Sequence, residues 1–344
     1  MGQYYDGTKL LSMKDIDGKE PELYLCCGNR TGGKTVYFSR MLVKRFLKDA
    51  KKFMLLYRYS YETPDVADKF FKDIQGLFFK GHEMTAKNMA HGVYSELYLD
   101  EIPCGYAVAL NKADQVKKLS HLFSDTDSMF FDEFQSESNQ YCADEIKKFM
   151  SIHTSVARGQ GQMHRRVPVY MCSNSVSIIN PYFTELGISE RLRDDTKYLR
   201  GRGFVLEQAW VEAAAKAQEE SGFMRAFANN DYAAYASQNV YLNDNMAFVE
   251  KPEGRGRYLV TLRYKGGDYA IREYAEAGIV YCDNRADLTF PTRIAVTTED
   301  HRINYVMLKR SDFTIQNLRY YFDHGAFRFK DLKCKEAVMK LLSY

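Results

Sequence analysis

No stretch of this chain constrains its fold more than Gly28-Asn29-Arg30-Thr31-Gly32-Gly33-Lys34-Thr35. It fits the pattern G-x-x-x-x-G-K-[ST], and its flanks have the texture the pattern requires. Upstream, Leu23-Tyr24-Leu25-Cys26-Cys27 is an apolar run suited to a buried strand. Downstream, Val36 to Leu47 places apolar residues at helical spacing. A glycine-rich turn between such elements closes backbone N–H groups around phosphate oxygens, and the helix directs its positive end at the anion. Lys34 is expected to reach the β- and γ-phosphates, and Thr35 to offer its hydroxyl to Mg²⁺. The expected ligands are therefore ATP and Mg²⁺, with all eight residues in the nucleotide-binding set.

A phosphate loop alone does not hydrolyse ATP. A carboxylate is also needed at the end of a neighbouring strand, and Ser128-Met129-Phe130-Phe131-Asp132-Glu133-Phe134 supplies a pair. Acids ending a buried strand are costly unless a metal or hydrogen bonds offset them. Asp132 is the expected metal organiser and Glu133 the general base for water. Tyr170-Met171-Cys172-Ser173-Asn174 is an apolar run ending in small polar residues. Asn174 can donate and accept at once, which suits a γ-phosphate sensor; a strand-ending Asx turn explains it equally well. Arg158 follows a helical stretch and precedes Gly159-Gln160-Gly161, between the acid pair and the next strand. There it could act as a finger on a neighbouring subunit's nucleotide or be a solvated surface arginine, with Arg165 and Arg166 as competitors.

The first 200 or so residues alternate strand-like and helix-like segments, as an α/β domain does. From Glu207 to Tyr241 the chain is rich in Ala, Gln and Glu and reads as helical, broken around Gly222 or Asn229-Asn230-Asp231. Strand-like runs return at Arg257–Arg263, Ala270–Tyr274 and Gly278–Cys282, followed by helical patterns at Asp312–His324 and Leu332–Leu342. The expected division is an ATPase domain at 1–203, a helical linker at 204–245 and a small α+β domain at 246–344. Net charge is only +3 over 344 residues, so a polyanion site has to be a local patch. Seven cysteines without a C-x-x-C pair point to reduced, core-packed thiols and no structural zinc. The polar first twenty residues lack a signal peptide's apolar segment, and no run suits a membrane span.

With these residues assembled, the chain resembles the DNA encapsidation ATPases of small podoviruses, the Picovirinae-type packaging motors. Four segments carry the resemblance: the loop at 28–35; Tyr57-Arg58-Tyr59; Phe131-Asp132-Glu133-Phe134; and the string from Cys172 to Phe183. The last is the most specific, since Ser-Asn-x-Val-Ser-x-x-Asn-Pro-Tyr-Phe is no general NTPase motif. Phe248-Val249-Glu250-Lys251 and Thr297-Thr298-Glu299-Asp300 are similar more weakly. The resemblance implies an additional-strand P-loop NTPase fold and a ring, expected to be pentameric. That ring would dock on the capsid portal, in some systems beside a structural RNA, and push double-stranded DNA into a prohead in the host cytoplasm. It implies that Arg158 acts across the subunit interface. It also implies that Lys117 or Lys118 couples DNA to nucleotide. Larger terminases add an RNase H-type nuclease that needs converging carboxylates. Here Leu259-Val260-Thr261-Leu262-Arg263 carries no acid, and Asp268 and Asp283 lie at or beyond strand ends. A vestigial nuclease domain without cleavage activity is expected. The rival functions are a small-molecule phosphotransferase, another nucleic-acid-dependent ATPase, and a binding module with a degenerate NTPase site.

Overall fold

The computed structural model describes residues 4–63, 65–138, 140–158, 163–189, 191–192, 196–226, 250–309 and 311–342. Gly159 to Gly161 and the part of the expected linker beyond residue 226 lie outside them. The chain divides into one unit of residues 1–176 and 192–240 and a second of 177–191 and 241–344.

The first unit is built on a nine-stranded sheet. Its strands are β1 (Leu23–Gly28), β2 (Lys52–Tyr57), β3 (Met84–Met89), β4 (Tyr94–Leu99), β5 (Ile102–Ala109), β6 (Thr126–Asp132), β7 (Val169–Asn174), β8 (Tyr198–Gly201) and β9 (Phe204–Ala209). They lie in the order β3-β4-β5-β2-β6-β7-β1-β9-β8. The six from β5 to β9 are mutually parallel, while β3, β4 and β8 add antiparallel margins. Central parallel strands are covered on both faces, which explains why β1, β2, β6 and β7 read as nearly unbroken apolar runs. The helices are α1 (Thr8–Ser12), α2 (Lys34–Asp49), α3 (Val66–Phe78), α4 (Ala113–Lys118), α5 (Glu145–Val156), α6 (Pro181–Glu185), α7 (Glu212–Glu219) and α8 (Gly222–Ala226). Of these α6 belongs to the second unit. Helix α2 buries Phe38, Leu42, Val43 and Phe46, each large side chain worth about 1.5–3 kcal/mol when fully removed from water. Phe38 meets Phe130 of β6 and Tyr170 of β7 at ring-centroid distances of 5.9 and 5.7 Å.

Two features of this sheet matter for function. Strand β7 lies between β1 and β6, so one additional strand separates the phosphate loop from the acid pair. And residues 204–209, expected to open a helical linker, are strand β9, paired in parallel with β1 from Leu23↔Phe204 to Gly28↔Ala209. The polar Glu207 fits this buried strand because Tyr5 and Tyr198 donate their hydroxyls to its carboxylate at 2.8 and 2.9 Å. Helix begins only at Glu212.

The second unit carries β10 (Arg257–Tyr264), β11 (Gly267–Tyr274), β12 (Ile279–Asp283), β13 (Arg293–Ala295) and β14 (Phe327–Phe329), ordered β13-β10-β11-β12-β14, with helices α9 (Phe313–Asp323) and α10 (Leu332–Leu342). Leu262, Ile271, Val280, Cys282, Ile294 and Leu318 are among the residues of its own core. All seven cysteines are buried free thiols.

Candidate active site

The site forms where β1, β6 and β7 end. Gly28 closes β1 against β9 so tightly that a Cβ there would lie 1.7 Å from the Ala209 carbonyl oxygen. Gly33 caps α2 at φ 88°, ψ 16°, in the left-handed region that glycine enters without penalty. Between them, Asn29 spends its side chain on structure. Its Nδ2 donates to the Val211 carbonyl and its Oδ1 accepts the Val211 N–H, both at 3.0 Å. Of Asn29, therefore, only the backbone is left for phosphate. Tyr5 adds a clasp from the N-terminal segment, its N–H donating to the Gly32 carbonyl at 2.8 Å.

Lys34 is 7 % exposed and its Nζ donates to the Asn29 carbonyl across the loop at 2.6 Å. Thr35 donates its hydroxyl to Asp132 Oδ1 at 3.2 Å. The hydroxyl and carboxylate a magnesium ion would need are thus already in contact, so the donor set fits the hard cation implied by the loop. The same Asp132 oxygen accepts from Cys172 Sγ at 3.0 Å and from the Glu133 N–H at 3.0 Å. Burial pushes the Asp132 carboxyl up, and the Cys172, Thr35 and Glu133 hydrogen bonds pull it partly back.

Glu133 sits just past the end of β6 at φ 53°, a left-handed conformation that costs a non-glycine residue about 1–3 kcal/mol. The turn presents its side chain to the pocket. Loss of hydration, then the negative charges of Asp132 and Glu137, raise its carboxyl above the ordinary glutamate value, opposed by Arg30 and Arg58. A carboxyl raised in this direction holds a proton more firmly, as a general base requires. Arg58 holds the turn from behind. Its Nη2 donates to the Phe134 carbonyl at 2.8 Å, and its Nε pairs with Glu145 Oε2 at 3.0 Å.

The pocket of about 680 Å³ brings Thr31, Gly32, Gly33, Lys34, Thr35, Asp132, Glu133 and Asn174 together. Tyr4, Tyr37, Leu77 and Phe78 form an apolar wall of the same pocket, with the Arg40 guanidinium 4.2 Å from the centre of the Phe78 ring. Size, phosphate-loop residues and aromatic lining together match a nucleotide. Arg30 is ion-paired with Glu137, which also accepts from Asn174 Nδ2 at 3.2 Å.

The basic candidates fall elsewhere. Arg158 is exposed just after α5, and its Nε donates to the Thr154 carbonyl at 3.2 Å. Nearby, Arg165 donates to the Thr126 and Val156 carbonyls at 2.5 and 3.1 Å. These contacts fix the end of α5 beside the start of β6, six residues and so about 20 Å from Asp132. Arg166 is spent on the Pro21 carbonyl and the Tyr24 hydroxyl, at 2.7 and 3.1 Å. Lys117 and Lys118 are exposed in the last turn of α4, where cations complement the helix dipole. Neither lysine lines the nucleotide pocket. Sequence reasoning missed Glu137, the Arg58–Glu145 pair and the Tyr4–Arg40–Phe78 wall. Apart from Arg58, which lies in Tyr57-Arg58-Tyr59, no motif contains them; a carboxylate three residues past the acid pair's last aromatic was the one visible trace of Glu137.

Comparison with known proteins agrees with this fold. Residues 2–343 match the family model described as podovirus DNA encapsidation protein (Gp16). The DNA packaging protein of Bacillus phage phi29 is 23% identical over 335 residues, covering 95% of this chain and 93% of that protein. A chain of the bacteriophage Phi-29 viral genome packaging motor assembly superposes with a TM-score of 0.58 at 21% identity, covering 99% of this chain and all 100% of the other. The Phi-28 gp11 DNA packaging motor gives 0.59 at 15% identity, over 99% and 98% of the two chains.

Proposed function

We propose, for a chain that belongs to the podovirus DNA encapsidation protein (Gp16) family, that its ATPase site is the engine that drives double-stranded viral DNA into a preformed capsid. One observation carries the reading. The order β6-β7-β1 gathers the loop, the Thr35–Asp132 contact, Glu133 and Asn174 at the end of one sheet, in a chain that matches the encapsidation family along its length.

The loop's backbone and Lys34 would bind the phosphates, and the apolar wall would take the base. Thr35 and Asp132 would hold Mg²⁺, which when bound offsets the charge of the phosphate oxygens. Glu133 accepts a proton from the attacking water while Asn174 contacts the γ-phosphate. Arg158, near the end of the strands opposite its own site, reaches the nucleotide of a neighbouring subunit and stabilises transition-state charge there. That distance supports a homo-oligomeric ring, for which we propose five subunits docked on the capsid portal, with or without a structural RNA, at the prohead in the host cytoplasm. Lys117 or Lys118 couples DNA to the cycle.

The second unit is proposed to be a nuclease-like fold without cleavage activity. Its two candidate acids are engaged by cations. Asp268 pairs with Arg263 at 2.9 Å and accepts the Tyr305 hydroxyl at 2.8 Å, while both Asp283 oxygens accept from Arg272 at 2.8 Å. A two-metal site needs such carboxylates for its ions.

ATP turnover by the purified chain tests the function. Phosphate release should rise with double-stranded DNA and with no nucleoside acceptor. In Glu133→Gln it should fall at least about 100-fold while ATP still binds. Transfer of phosphate to a nucleoside would install the phosphotransferase reading instead.

A further inference from the structure

Glu137 stands outside the phosphate-loop, acid-pair and sensor-strand patterns, yet it joins two of them. A single oxygen, Oε1, is ion-paired with Arg30 of the loop and accepts the Asn174 amide at 3.2 Å. Arg30 and Glu137 are each 34% exposed at the side chain, so the pair is not sealed into the core, and its third member, Asn174, lines the pocket. The two donors it holds come from neighbouring strand ends, since Gly28, which opens the loop, is the ladder partner of Asn174. Arg30 rides on the turn between β1 and α2, and Asn174 ends β7.

Guanidinium and amide N–H groups are donors that a phosphoryl oxygen would also claim. While Oε1 occupies both, a γ-phosphate has to displace a carboxylate to gain them. ADP ends one phosphoryl group short and makes no such demand. We propose that Glu137 is a positioning residue: it holds Arg30 and Asn174 together when no γ-phosphate is present and yields them when one arrives, so that it sets how sharply the site separates ATP from ADP. This rests on the ATPase reading above.

The half-exposed geometry limits the size of the effect. Ion pairs of this exposure change an equilibrium by up to about 5-fold. Glu137→Gln keeps the shape and an oxygen for Asn174 but removes the charge that competes for Arg30. It should tighten a non-hydrolysable β,γ-imido ATP analogue about 2- to 5-fold and leave ADP unchanged. The KM for ATP should fall by the same factor, without a rise in kcat. Glu137→Asp, whose carboxylate is one methylene shorter, should tighten the analogue selectively in the same direction.

Calorimetric titration of the full chain with each nucleotide and Mg²⁺ makes the measurement, with thermal melts recorded for every variant. If both variants bind the analogue as the wild type does, or shift analogue and ADP together, the proposal is overturned. Should Glu137→Gln fail to fold, Glu137→Asp decides by the same comparison. A wild-type chain that binds neither nucleotide would overturn the ATPase reading and the proposal with it. Wild-type binding with no selective change in the variants removes the proposal alone.

Discussion

The ion pair behind the Glu133 turn offers a prediction in which stability and activity separate. Arg58 and Glu145 are 7 % and 4 % exposed. The Arg58 Nε lies 3.2 and 3.0 Å from the two Glu145 oxygens, and the Cys142 N–H donates to Oε2 at 2.9 Å. The guanidinium also lies 5.6 and 5.0 Å from the Phe131 and Tyr141 ring centres. Removing one partner leaves a buried charge uncompensated, at a cost of about 3–5 kcal/mol. In a folding unit of this size each kcal/mol lowers the melting midpoint by about 2–4 °C. Arg58→Met or Glu145→Leu alone should therefore lower it by roughly 6–20 °C. Changing both to apolar residues avoids the orphaned charge, so the double variant should melt within a few degrees of wild type, a cost on the order of 1–2 kcal/mol or less. Turnover should not recover with it. Arg58 also donates to the Phe134 carbonyl and, at 3.4 Å, to that of Glu133. Those bonds help hold Glu133 in its left-handed conformation. Differential scanning fluorimetry and phosphate release on the single and double variants give both numbers. A double variant that hydrolyses ATP at the wild-type rate would refute the claim that Arg58 fixes the turn. Single variants melting with the wild type would refute the energetics.

Other outcomes follow from the same geometry. Lys34→Ala should weaken ATP binding itself, measured by titration, whereas Glu133→Gln binds but does not turn over. Because Glu133 accepts a proton only when ionised and its carboxyl is raised, kcat should begin to fall on acidification at a higher pH than an ordinary glutamate would dictate; a Glu133-dependent limb at or below the ordinary value would contradict this. Arg158→Ala mixed with Glu133→Gln should regain turnover in assembled rings, since an intact Arg158 then meets an intact Glu133 next door. A mixture no faster than its parts would make Arg158 a cis or surface residue. The full chain incubated with plasmid and Mn²⁺ should leave it uncut; nicking lost in Asp283→Ala would reverse the reading of the second unit.

The residues that the fold gathers around the loop were legible because the chemistry expected of them demands contiguous residues. Lys34 must follow the glycines and Glu133 must follow Asp132, so local pattern carries them. Asn174 was visible as the polar end of an apolar run, although its role stayed open between sensor and turn. What escaped was built from distant partners. Arg30 and Glu137 are separated by 107 positions, and Arg58 and Glu145 by 87, with no periodicity to link them. Strand β9 was read as linker because Glu207 and Gln208 look solvated in one dimension. Only the fold brings Tyr5 and Tyr198 to the Glu207 carboxylate. Asn29 looked like a phosphate ligand because it sits in the loop, and its commitment to Val211 spans 182 positions.

That commitment gives the loop a mechanical load. Asn29 grips Val211 with two hydrogen bonds, and Gln218 of α7 donates to the Thr31 hydroxyl at 3.0 Å. Val211 is the residue on which α7 begins, and α7 heads the stretch of chain that runs on toward residue 241. Each bond is worth about 0.5–1.5 kcal/mol net, so breaking all three costs about 1.5–4.5 kcal/mol. A loop that closes on phosphate therefore has two courses: tear free of Val211 and Gln218, or pull them along. The second preserves the bonds, and it makes a change of shape a few residues long move the start of α7 as well.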